Sequence, residues 1–310
     1  MLTRRQFVFT TLVVPPVLSR LTLNAQQPQT SAPKAPQQPA PLNPVFTPVR
    51  RNVGAFTARG GTIGYLINAG GVVVVDSQYR DAAKLCLDGL NAQSKGRKID
   101  VLLSTHHHAD HTDGNVVFKP VTTAIVAQAR VPELQKIANE QAKTPLDQAY
   151  PTATFEGTWN KAIGDEVIHA DYFGPAHTGG DSVIYFEKAN VVHVGDLVWN
   201  KLQTFVDRTP GGASATNWIT VTEKIAAKYP ADATYICGHA KAGLSTICSR
   251  TEVLMMRDYM TALVDYVRAA IKSGKSRDEI SASKDVLKGF DDFGPLTTRA
   301  LQGTYDEIAK

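Results

Sequence analysis

Residues 104–115 read Ser-Thr-His-His-His-Ala-Asp-His-Thr-Asp-Gly-Asn, and they concentrate four of the chain's eight histidines. Imidazole and carboxylate are the groups that bind a zinc-like ion at about 2.0–2.2 Å. The string directly follows the apolar run Lys98–Leu103, which reads as a buried strand. A strand end holds the backbone rigidly, and alternate side chains there share a face. His106 and His108 are therefore placed to reach one metal from one side. Asp110 and His111 lie beyond the turn, facing a second. Two more histidines open distinctive segments, Ala176-His177-Thr178-Gly179-Gly180-Asp181 and Gly238-His239-Ala240, and both follow predicted strands. His169 and His193 fall inside strand patterns and read as surface or core residues. No Cys-x-x-Cys pair occurs, so a thiolate zinc site is excluded.

The elements that must carry these residues can be sketched from periodicity. Thr62–Ile67 and Val72–Val75, separated by Gly70-Gly71, predict a hairpin. Asp81–Ser94 and Val131–Lys143 have helical spacing, with a short strand at Ala124–Ala127. Val167–Phe173, Ser182–Glu187 and Val191–Val194 predict strands, and Thr234–Cys237 another leading into His239. Ser214 is placed to cap a helix that stops before Pro230, and Thr251–Lys272 is the longest predicted helix. Val72–Asp76 and Val191–Asp196 are each an apolar strand ending in Asp, a weak sign of two related halves.

The bulk composition bounds the partners. The chain has 310 residues, 43% of them hydrophobic, enough for a sizeable core. Its start, Thr3-Arg4-Arg5-Gln6-Phe7 followed by an apolar run to Leu18, has the form of a twin-arginine export signal. That predicts a signal peptide over residues 1–25 and a periplasmic or secreted protein. The run is short of the ~20 residues needed to span a bilayer, so no membrane span is expected after leader removal. Without the leader the formal charge of +4 falls to about +1, which gives no electrostatic case for nucleic acid. Residues 26–48 hold seven prolines and read as a disordered tether. A catalytic domain is expected over 49–250 and a helical extension packed on it over 251–310. The three cysteines are too few for a disulfide framework; Cys237 and Cys248 have the option of pairing, but buried free thiols are the simpler expectation. Nothing in the sequence speaks to oligomeric state.

The order His106-x-His108-x-Asp110-His111, then His177, Asp196 and His239, resembles the ligand set of the metallo-β-lactamase superfamily. The likeness covers residues from about 50 to 245, with Asp76 matching the family's first motif. It implies an α/β fold, the four-layer αβ/βα sandwich, with additional C-terminal helices. It also implies two Zn²⁺ ions per chain: His106, His108 and His177 on the first, Asp110, His111 and His239 on the second, and Asp196 bridging. Such a pair shares a water whose pKa falls toward 7 and polarises a substrate carbonyl, with Asp110 orienting the nucleophile and relaying its proton. Asp76, and more weakly Asp113, are the candidates to fix the histidine tautomers, while His107 is expected to point away. One large group of β-lactamases has Cys where this chain has Asp196; Asp there is more similar to glyoxalase II and lactonases. The expected activity is hydrolysis of a lactone, lactam, ester or thioester in a small molecule. Gly60-Gly61 in the hairpin tip 57–62 and the loop 200–215, with Phe205, Asp207, Lys201 and Arg208, are candidate walls of the site, and Lys201 or Arg208 a candidate anion contact. Rival readings are a mononuclear iron persulfide dioxygenase-like enzyme, a nuclease, and a non-catalytic metal-binding protein of the same fold. Flavodiiron proteins, with Glu at the place of His108, are disfavoured.

Overall fold

The computed structural model describes residues 42–309. The expected signal peptide and most of the expected tether lie outside them. Two mixed sheets face one another. The first has seven strands in sequence order: β1 (Val45–Arg50), β2 (Val53–Thr57), β3 (Ile63–Asn68), β4 (Gly71–Val75), β5 (Val101–Ser104), β6 (Ile125–Gln128) and β7 (Ala153–Phe155). Its first half is an antiparallel meander, and β4 to β7 are parallel. The second contains β8 (Thr158–Ile163), β9 (Glu166–Asp171), β10 (Val183–Phe186), β11 (Val191–Asn200), β12 (Thr234–Ala240) and β13 (Ile247–Cys248), arranged in the order β13-β12-β11-β10-β9-β8.

Three apolar clusters define four layers, because each fills one interface. Val73, Leu103, Ile168, Ile184 and Ile236 fill the space between the sheets. Val72, Val74, Cys86, Leu90 and Phe118 join the first sheet to α1 (Arg80–Ser94) and α3 (Asn115–Phe118). The short α2 (Ala109–Thr112) lies between the end of β5 and α3, and α4 (Val131–Glu140) follows β6. Val192, Val194, Trp218, Val221, Met256 and Leu263 join the second sheet to α5 (Ala215–Lys228) and α6 (Arg250–Lys272). The extension continues as α7 (Arg277–Ser281) and α8 (Thr298–Ile308), whose Ala300 and Leu301 enter that same cluster. Among the described residues no helix is long and apolar enough to cross a bilayer.

Several boundaries differ from the sequence expectation for identifiable reasons. β1 begins at Val45, inside the expected tether, and its Pro48 sits beside a register irregularity on an edge strand, where a missing N–H is tolerated. β11 runs through Gly195-Asp196 to Asn200 and is buried along nearly its whole length, so burial overrides two poor strand formers. The strand ahead of the histidine string starts only at Val101, and α4 stops at Glu140. Cys237 and Cys248 are joined as a disulfide, contrary to the free-thiol expectation; the antiparallel β12–β13 pair brings their Cα atoms to 6.5 Å, within disulfide reach. Cys86 is free and buried.

Candidate metal centre

Each sheet delivers part of the site from its edge. β5 is fully buried between its parallel neighbours, so its end is fixed, and Thr105-His106 leave it at a defined point. Asp76, which follows β4 in a left-handed conformation (φ 63°), receives the Thr105 amide at 2.7 Å and the Thr105 hydroxyl at 2.8 Å. Such a backbone costs energy for a non-glycine residue and persists where its surroundings hold it. His108 is the extended residue ahead of α2, and the turn of α2 carries Asp110 and His111 back toward His106. From the second sheet, the β9–β10 loop presents His177. That loop is wound around the Asp181 carboxylate, which accepts from the Ala176 and Thr178 amides and the Thr178 hydroxyl. Burial pushes the Asp181 carboxyl up to about 7. Asp196 sits where the β11–β12 register slips on both sides of Gly195, and His239 lies on β12. Gly238 is required by packing: a Cβ there would stand 2.0 Å from Asp196 Oδ1.

The seven predicted residues converge into two clusters. In the first, His108 Nδ1 lies 3.0 Å from both His106 Nε2 and His177 Nε2, and Asp196 Oδ2 is 3.8 and 3.4 Å from the latter two. In the second, His111 Nε2 and His239 Nε2 are 3.4 Å apart, with Asp110 Oδ2 3.7 and 3.1 Å away and Asp196 Oδ1 3.0 and 3.3 Å away. A tetrahedron of bonds 2.0–2.1 Å long has edges of about 3.3–3.4 Å, so both clusters have the spacing of a shell around a zinc-sized ion. The donor chemistry agrees. Asp196 Oδ1 is buried and has no hydrogen bond aimed at it, although two imidazole nitrogens are near. A buried polar atom left in that state requires a partner.

The electrostatics point the same way. Burial drives His177 down to about 3 and His106 well below the usual imidazole range, leaving neutral rings with lone pairs to offer. Burial opposes charge on Asp196 too, but His111 and His239 hold its carboxyl well below the usual range. In the second cluster burial is again outweighed: the carboxylates, Asp196 foremost, draw His111 well up and His239 to about 9. A site that pulls protons onto buried imidazoles has negative charge in excess, which a divalent cation would neutralise.

The outer ring nitrogens are also engaged. His111 Nδ1 faces Asp76 Oδ2 at 2.7 Å, His106 Nδ1 the Thr105 hydroxyl at 3.0 Å, His177 Nδ1 the Phe205 carbonyl at 3.2 Å, and His108 Nε2 Asp207 Oδ2 at 2.9 Å. Asp76 thus takes the role expected of it. Asp113 does not, because it is paired with Arg80 at 2.9 Å. His107 turns from both clusters toward Asp207, at 3.4 Å. Sequence reasoning missed Thr105, Asp207 and the Phe205 carbonyl in these roles. Asp207 carried the one available signal, an acid in the loop after Asp196, whereas a main-chain carbonyl carries none.

Around the clusters, the Trp199 ring lies 4.5 Å from that of His239, and the Phe205 ring 5.2 and 4.9 Å from those of His108 and His177. The hairpin tip packs on the site, with the Gly61 amide donating to the Asp110 carbonyl at 3.0 Å. Two expected anion contacts are otherwise occupied. Lys201 pairs with Asp292 at 2.7 Å, and Arg208 donates to the Ala213 carbonyl at 2.5 Å.

The family model of the metallo-beta-lactamase superfamily matches residues 57–239, a span that contains all seven converging residues. The chain belongs to the metallo-beta-lactamase superfamily. It is similar to a metallo-beta-lactamase type 2 of Elizabethkingia meningoseptica, 23% identical over 184 residues, 56% of this chain and 67% of that protein. It is also similar to a hydroxyacylglutathione hydrolase of Crocosphaera subtropica, 29% identical over 130 residues, 40% of this chain and 42% of that protein. Among solved structures, a metallo-beta-lactamase from Pontibacter korlensis superposes with a TM-score of 0.59 at 16% identity, over 71% of this chain and 99% of its own. Superfamily membership and the two donor clusters make the protein a metallo-hydrolase.

Proposed function

We propose that the protein is a two-zinc hydrolase that cleaves a carbonyl-containing bond (lactone, lactam, ester or thioester) in a small molecule. One observation carries the two-ion reading: the two oxygens of Asp196 face different clusters, Oδ2 toward His106 and His177, Oδ1 toward His111 and His239. His106, His108, His177 and Asp196 would hold one ion, and Asp110, His111, His239 and Asp196 the other. Zinc there would supply Lewis acidity to a carbonyl oxygen and make water acidic enough to attack near pH 7. Asp110 is the only carboxylate of the two clusters with substantial access to solvent, at 23% against 2% for Asp196. Its Oδ2 is therefore the atom best placed to take the proton of an attacking water. The Trp199 ring packs against His239, and the Phe205 ring against His108 and His177. An oxygen donor at position 196 favours the pattern of glyoxalase II and lactonases, and the two curated relatives make a thioester and a lactam the first substrates to try. We also propose export: the leader-like start and the Cys237–Cys248 disulfide both suit an oxidising compartment.

Elemental analysis of the purified mature protein tests this reading. Two zinc per chain are expected, falling to one or none in Asp196→Ala, with hydrolysis of nitrocefin, a lactone or a hydroxyacylglutathione thioester lost in parallel. One iron per chain would overturn the hydrolase chemistry in favour of sulfur oxidation.

A further inference from the structure

The loop between β11 and α5 does more than border the first cluster. It provides the outer partner of two of that cluster's three histidines, the Phe205 carbonyl for His177 and the Asp207 carboxylate for His108. A carboxylate can only accept, so the imidazole it holds at 2.9 Å carries its proton on Nε2 and leaves the Nδ1 lone pair facing His106 and His177. His107 Nε2 also lies 3.4 Å from the same oxygen, Asp207 Oδ2. The loop has no helix or strand of its own; its turns close on themselves, with the Ala213 amide donating to the Asp207 carbonyl at 2.9 Å, and they lean on the β9–β10 loop, where the Gly179 amide donates to the Gly211 carbonyl at 2.6 Å. The C-terminal extension braces it as well. Gln203 donates to the Gly294 carbonyl at 2.8 Å, and the Arg299 guanidinium lies 3.5 Å over the Phe205 ring. Glu307 accepts from the Ser214 hydroxyl at 2.8 Å at the loop's far end. At Gly303, α8 touches the loop backbone so closely that a Cβ would stand 2.2 Å from the Val206 carbonyl oxygen. The second cluster is braced differently, through Asp76 on the first sheet.

We propose that Asp207 is a positioning residue that sets His108 for the first metal, and that the C-terminal helices tune this one cluster by bracing the loop that bears it. The inference rests on the metal reading above. Its test is zinc affinity, by chelator competition on the folded apo-protein, in two backgrounds: His111→Ala, which leaves the first cluster, and His106→Ala, which leaves the second. Asp207→Ala is expected to weaken zinc roughly 10–100-fold in the first background and to leave the second unchanged. Asp207→Asn, which keeps an acceptor but not the charge, should fall between. Gly303→Val, which changes no ligand and presses on the loop at Val206, should show the same one-sided loss. Unchanged affinity in the first background, or equal losses in both, overturns the proposal. A wild-type protein that takes up no divalent ion overturns the metal reading itself, and this inference with it.

Discussion

At the residue scale, the site is a contest between burial and charge. Asp196, His106, His111 and His177 are almost wholly shielded from water, and a group so placed must be neutral or find a partner. His106 and His177 solve this by staying neutral, and Asp196 by facing the nitrogen atoms of His111 and His239. Asp76 serves both the backbone and the site, because it holds the Thr105 amide and hydroxyl as well as His111 Nδ1. Asp76→Asn should therefore weaken zinc in the second cluster by roughly 10–100-fold and in the first by less, through the Thr105 hydroxyl that faces His106; stepwise metal titration reads both. At this scale the sequence was largely legible. His106, His108, Asp110 and His111 lie within six positions, and a strand end makes such spacing geometric. Asp207 was not legible in its role, because its partner His108 is 99 residues away and an irregular loop gives no register from which to infer the contact.

At the element scale, the extension is joined to the catalytic layers by specific contacts as well as by apolar area. The Glu307 carboxylate of α8 sits on the first turn of α5, accepting from the Ser214 and Thr216 hydroxyls and the Ala215 amide. A negative charge there satisfies free N–H groups and meets the positive end of the helix. Glu307→Ala should lower stability by about 1–2 kcal/mol, measured as a lower midpoint in urea at unchanged slope. The Ser214 cap and the long α6 were readable from sequence, since each follows from local residue types. The exposed β8 (Thr158–Ile163) and the edge strand β1 were not, because neither carries an apolar run and both exist through pairing with a neighbour. β11 was read short for the opposite reason: Gly195 and Asp196 look like a strand end, and only the surrounding burial keeps them in the sheet.

At the scale of the whole molecule, the catalytic layers and the C-terminal helices form one hydrophobic unit. Val253, Met256, Met260, Leu263, Val264 and Val267 of α6 are all buried against α5 and the second sheet. Fully burying each contributes roughly 1.5–3 kcal/mol, which together is on the order of a domain's entire stability. Truncation before Ser249 should therefore yield insoluble protein rather than a smaller enzyme, as fractionation of an expressed 26–248 fragment would reveal. The provenance of the seven converging residues has a thermodynamic consequence. His106, His108, Asp110 and His111 come from the first sheet, and His177, Asp196 and His239 from the second. An ion held by both groups can bind fully only when the two sheets are docked, so metal binding and folding are linked equilibria. Free zinc at 100 times its dissociation constant would add about 2.7 kcal/mol per site, and the melting temperature should climb with zinc and fall in chelator. The ions would then act as rivets between two half-sandwiches, and a cell's zinc supply would set how long the protein survives as well as how fast it works.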